Sequence, residues 1–121
     1  MRQSDAPFSG CPLPFPTTRW RALGVRAIDG DTLVIRVDRG WFDVSTMEIR
    51  LATVDAMELS TDVGKQARDA VNLLVANQWL DVETRMDPDK YGRILASVFV
   101  PWLDGYRDLA EIIVEHGWAK P

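Results

Sequence analysis

Asp29 and Asp31 flank Gly30, and Asp55 and Glu58 follow further along the chain. Carboxylates from two separate loops are the donors that a hard cation such as calcium takes, with coordination positions left over for water and a phosphate. An aspartate in a turn also has an ordinary use, because its side chain bonds nearby backbone amides. Arg50 and Arg93 form a second pair of interest. A guanidinium offers parallel donors to phosphate oxygens and keeps its charge, which suits it to hold a phosphodiester and to offset the extra negative charge of its transition state. Either arginine would equally serve in a surface ion pair. His116 is the single histidine and Cys11 the single cysteine, so neither an internal disulfide nor a Cys/His zinc cage can form.

Elements must bring these residues together. From Arg19 a strand-like run carries Trp20, Leu23 and Val25 to Ile28, and Asp29-Gly30 is a strong hairpin signal. Leu33, Ile35 and Val37 alternate with Val34 and Arg36, which predicts a second strand ending at Arg39-Gly40. Met47, Ile49 and Leu51 predict a third, with Arg50 on the face opposite Leu51. After Ser60 the period changes: Ala67, Ala70, Val71 and Leu74 form one apolar stripe, so an amphipathic helix follows. Trp79 to Arg85 and Ile94 to Val100 read as a fourth and a fifth strand, joined by a turn holding Asp87-Pro88-Asp89 and Gly92. Asp108 with Glu111 resembles a capping box for a short last helix over Leu109, Ile112 and Ile113, closed by Gly117.

Three strands, a helix, two strands and a helix is the order of an OB-type fold, a five-stranded Greek-key barrel with a helix between strands 3 and 4 and a short C-terminal helix. The expected class is mainly β with α (α+β). A mixed open sheet with both helices on one face would fit the same order. Residues 1–18, with Pro7, Pro12, Pro14 and Pro16, read as a proline-rich N-terminal arm, and residues 19–121 as the domain.

Composition bounds the function. The 121 residues suffice for one core. Fourteen Lys and Arg against eighteen Asp and Glu leave a net charge of −4, so a surface that attracts nucleic acid everywhere is excluded and any polyanion site must be local. No run approaches the ~20 apolar residues of a membrane span, and the prolines before Phe15 break any export signal. A cytoplasmic location with no membrane partner is the expectation.

Three segments occur in one order: Ala27-Ile28-Asp29-Gly30-Asp31-Thr32-Leu33, then Arg50-Leu51-Ala52-Thr53-Val54-Asp55-Ala56-Met57-Glu58, then Asp89-Lys90-Tyr91-Gly92-Arg93. Together they resemble the staphylococcal nuclease (thermonuclease) family: its Asp-Gly-Asp-Thr hairpin, its Arg-(four residues)-Asp-(two residues)-Glu block and its Asp-Lys-Tyr-Gly-Arg turn. Gly64-Lys65-Gln66-Ala67 and Gly117-Trp118-Ala119 resemble two further landmarks, and the likeness runs from about Arg19 to Lys120.

The resemblance implies a thermonuclease-like phosphodiesterase that cleaves DNA and RNA with little sequence preference and leaves 3′-phosphates. It implies a calcium ion on Asp31, Asp55 and the Ala56 carbonyl, with Asp29 just outside. Glu58 would orient or deprotonate the attacking water, Arg50 and Arg93 would stabilise the transition state, and Lys90 and Tyr91 would bind a neighbouring phosphate. Single-stranded nucleic acid, weakly held by a monomer, is the expected partner. A non-cleaving nucleic-acid-binding barrel and a protein-interaction module are the alternatives. Ala56-Met57 stands where the family often has Thr-Pro, which predicts weakened metal binding. Few tyrosines are present to stack on bases, so Trp41, Trp102 or Trp118 would have to serve unless they are core.

Overall fold

A computed structural model of the chain describes residues 17–85 and 94–120. β1 (Thr17–Asp29), β2 (Thr32–Asp38) and β3 (Val44–Leu51) form an antiparallel meander. α1 (Asp62–Val75) follows, then β4 (Trp79–Arg85), β5 (Ile94–Trp102), β6 (Gly105–Asp108) and α2 (Leu109–Glu115). The strands lie in the order β3-β2-β1-β4-β5-β6, and β3 also pairs with β5. That last pairing, parallel through Ile49↔Ile94 and Leu51↔Ala96, closes five strands into a barrel and excludes the open sheet. The residues 19–121 expected as a domain begin inside β1, which starts at Thr17.

Alternation decides the interior. Leu33, Ile35 and Val37 of β2 are buried, as are Ile49 and Leu51 of β3, Leu80 and Val82 of β4, and Ala96, Val98 and Val100 of β5. In β1, Ala22, Gly24 and Ala27 face inward, while Leu23 is half-buried and Val25 exposed. The register shift between Gly24 and Arg26 explains why the inward face passes from positions 22 and 24 to Ala27, because a shift rotates the side chains that follow. Gly24 also lies under the end of α1, where a Cβ would come within 1.9 Å of the Val75 carbonyl oxygen. The Asn72 side chain accepts a hydrogen bond from the Ala27 amide at 2.9 Å, satisfying backbone that the bulged ladder leaves unpaired.

Thr61 caps α1 by accepting from the Gly64 amide, and Ala67, Val71 and Val75 pack it on the barrel. Asp108 caps α2 through the Ala110 amide. β6 is an unexpected element. Its four residues pair only with β5 (Phe99↔Asp108 to Trp102↔Gly105), too short a run for periodicity to reveal. No helix among the described residues is long and apolar enough to cross a membrane.

Candidate functional site

The β1–β2 turn, the end of β3 and the loop after it meet at one rim of the barrel. Thr32 pairs with Arg50 across β2 and β3, and the Leu51 amide donates to the Asp31 carbonyl at 2.8 Å. Asp31 is thereby set beside the start of the 52–58 loop. Gly30 permits this approach by lacking a side chain: a Cβ there would lie 2.5 Å from the Ala56 Cβ. Its backbone stays outside the left-handed region, so the close contact, rather than the turn's dihedral angles, requires glycine.

Asp31 is a buried carboxylate with several donors. Its Oδ2 accepts from the Ala56 amide at 2.9 Å and from Arg50 Nη2 at 3.4 Å, and its Oδ1 from the Thr32 hydroxyl at 3.1 Å. The same Arg50 Nη2 donates to Asp55 Oδ1. Arg50 Nη1 donates to the Leu51 carbonyl at 2.6 Å and reaches the Val54 carbonyl at 3.5 Å, so the loop wraps the guanidinium. The arginine side chain is 17% exposed and that of Asp55 61%, which leaves the acid open to solvent beside a mostly covered cation.

Asp29 completes the acidic group, its Oδ1 accepting from the Asp31 amide at 3.0 Å. Burial, joined by its hydrogen bond with Asp31, raises the Asp29 carboxyl to about 6. Burial also pushes Asp31 up, but hydrogen bonds from Asp29, Ala56 and Thr32 and the charge of Arg50 outweigh it and hold Asp31 below the ordinary value. An acid raised by folding binds its proton more tightly in the native state. Asp29 therefore favours folding below its unfolded value of ~3.9, and that contribution is lost as pH rises through about 6. Asp29→Asn keeps the acceptor for the Asp31 amide, so its thermal midpoint relative to wild type is expected to climb between about pH 4 and about pH 7 in chelator. Calorimetry across that range checks it; a level difference would show that Asp29 carries no such burden.

Glu58 stands apart from this group. Its carboxylate meets the Lys120 ammonium at 2.6 Å, and its carbonyl accepts from the Thr61 amide and hydroxyl at 3.0 and 2.7 Å, leading into α1. The 118–120 segment runs alongside: the Met57 amide donates to the Trp118 carbonyl at 2.8 Å, the Lys120 amide to the Asp55 carbonyl at 2.7 Å, and Ala56 bridges Ala119. In such a pairing the flanking residues make the bonds, so the Ala56 amide and carbonyl face away from Ala119, and the amide is on Asp31.

The structure thus joins Asp31, Arg50 and Asp55, with Ala56 and Asp29 against them and Glu58 on the same loop. Arg93, Lys90 and Tyr91 lie outside the described residues. Thr32 entered the sequence reading only as the last residue of the Asp-Gly-Asp-Thr segment, and Lys120 was not singled out as a neighbour of the candidate site. A lone lysine after a helix carries no signal of its own, and only the acidic character of the 55–58 loop hints at a cationic neighbour. Trp41 is neither core nor near the site: it is 97% exposed at the β2–β3 tip, at the other end of β2. Trp102 and Trp118 are half-buried against the core, and of the three only Trp118 adjoins the 52–58 loop.

No group of three or more acidic, imidazole or thiol side chains that could hold a metal is found among the described residues. Two hard carboxylates do converge, and the charge now between them is a guanidinium. That donor set suits a divalent cation completing its shell from a carbonyl, water and phosphate, so the residues fit the calcium ion expected from sequence.

A family model described as "Staphylococcal nuclease homologue" matches residues 48–121, more than half of the chain. A protein named "Uncharacterized endonuclease" from Escherichia coli is 38% identical over 77 residues, 64% of this chain and 46% of the relative. One named "Micrococcal nuclease" from Shigella flexneri is 38% identical over 82 residues, 68% of this chain and 44% of the relative. "Protein ParB" from Escherichia coli is 37% identical over 76 residues, 63% of this chain and 40% of the relative. The chain spans less than half the length of each.

Proposed function

The chain belongs to the staphylococcal nuclease homologue family, and from that premise we propose that it is a calcium-dependent, sugar-non-specific nuclease that hydrolyses phosphodiester bonds of DNA and RNA. The observation that carries the reading is the convergence of Asp31 and Asp55, from separate loops, on Arg50 at the barrel rim. Asp31, Asp55 and the Ala56 carbonyl would hold the calcium ion, which when bound neutralises phosphate charge and acidifies water. Arg50, fixed by β3 beside the two carboxylates, donates to a phosphate oxygen and offsets the charge that grows in the transition state. Glu58 orients the attacking water opposite the 5′ oxygen, so a 3′-phosphate is left. Arg93 acts on the leaving oxygen, and Lys90 and Tyr91 hold the next phosphate.

The site lies at an open rim on a chain of net charge −4, which favours a flexible single strand, weakly held through few phosphate contacts by a monomer. Incubation with single-stranded DNA in calcium and in chelator, beside Glu58→Ser, tests the reading. Cleavage should vanish in chelator and fall by about 10²- to 10⁴-fold in the variant. Cleavage indifferent to both would overturn the mechanism. Binding without cleavage under any condition would make the protein a nucleic-acid-binding barrel instead.

A further inference from the structure

We propose that Lys120 is a positioning residue for Glu58, so that the 118–120 segment is a working part of the site. The inference rests on the nuclease reading, in which Glu58 aims a water molecule.

Lys120 grips the 52–58 loop twice. Its amide donates to the Asp55 carbonyl at 2.7 Å, and its ammonium donates to Glu58 Oε1 at 2.6 Å. One residue therefore fixes the backbone that carries a candidate metal ligand and the side chain of the candidate water-orienting acid. The grip is itself anchored. Gly117 turns the chain at φ 76°, the Trp118 amide donates to the Ile113 carbonyl at 3.1 Å, and the Trp118 ring packs on the core and stacks with His116 at 4.7 Å. The Met57 amide on the Trp118 carbonyl adds a second tie to the loop.

Glu58 needs such a partner. Its side chain is 67% exposed, and among the described residues no other side chain pairs with its carboxylate. A free glutamate would spread over several rotamers, whereas water activation requires one direction. An exposed ion pair adds little to stability, so a role in stability and a role in positioning can be separated by measurement.

The experiment compares kcat, KM and thermal midpoint on single-stranded DNA in calcium for wild type, Lys120→Met, Lys120→Arg and Glu58→Ser, and for Lys120→Met combined with Glu58→Ser. Lys120→Met is expected to lower kcat about tenfold with KM changed less than about twofold and the midpoint hardly moved. Lys120→Arg should recover most of the loss. In the Glu58→Ser background, removing Lys120 should cost nothing more, because its route of action is already gone. Nitrogen NMR of the lysine ammonium groups gives a readout independent of activity: the Lys120 signal should be protected from exchange in wild type and lose that protection in Glu58→Ser. An unchanged kcat, an unprotected ammonium, or a rise in KM that persists without Glu58 would overturn the inference, the last by showing that Lys120 contacts phosphate directly. A wild type that cleaves but is indifferent to Lys120 sinks this inference alone; a wild type that cleaves nothing sinks the nuclease reading with it.

Discussion

Replacing Arg50 with alanine is expected to reduce cleavage by about three orders of magnitude or more while leaving calcium binding undiminished. The two outcomes diverge because Arg50 faces two ways. In the substrate-free protein its Nη2 lies on both Asp31 and Asp55, the acids proposed for the metal, so it competes with a cation for them. Its removal lifts that competition. The phosphodiester, however, loses its guanidinium when charge builds at phosphorus. Lysine at this position restores one positive charge but lacks the planar array of donors that now reaches the Leu51 carbonyl and both acids, so Arg50→Lys should regain little. Calorimetric titration with calcium and a cleavage assay on the same preparations check both halves. Parallel loss of calcium binding and activity would mean that Arg50 holds the loop together and does not act on substrate.

The second large effect is expected at Gly30. An alanine Cβ would meet the Ala56 Cβ at 2.5 Å and the Ala67 Cβ of α1 at 3.4 Å. The first contact is too close to persist, so the turn bearing Asp31 must separate from the loop bearing Asp55. The overpacking should cost about 1–3 kcal/mol of stability, and a displacement of even ~1 Å between catalytic groups can cost about 10²-fold in rate. Ala56→Gly removes the atom that is struck and keeps the amide that donates to Asp31, so the double variant Gly30→Ala with Ala56→Gly should recover most of the activity. Thermal melts and cleavage rates of the two single variants and the double variant decide the matter. Failure of Ala56→Gly to rescue would place the need for glycine in the turn's backbone instead.

The barrel was legible where one short stretch carries the whole signal. The alternation of Leu33, Ile35 and Val37 and of Ile49 and Leu51 appears as buried strand faces, and the stripe through Ala67 and Val71 appears as the packed face of α1. Legibility failed where a residue's place depends on something remote. The inner face of β1 passes from Ala22 and Gly24 to Ala27 because of a register shift against β2 that no local pattern announces. Asn72, a polar position on the helix by pattern, serves the Ala27 amide across the helix–barrel contact. Trp41, for which base stacking and the core were both open, and its neighbour Phe42 sit exposed at a hairpin tip with φ of 57° and 59°.

The site divides along the same line. Residue types and their order marked Asp31, Arg50, Asp55 and Glu58 as candidates for phosphodiester chemistry, since carboxylates and guanidinium groups have that capacity wherever they stand. Which acid meets which cation was open, because any of these charges could as well have ended in a surface pair. Arg50 meets Asp31 across 19 residues of sequence, and Lys120 meets Glu58 across 62. Periodicity and turn chemistry act over a few residues and set the elements. The register of β2 on β3, and the docking of 118–120 on the 52–58 loop, bring distant charges within hydrogen-bonding reach, and only the folded chain decides those partners.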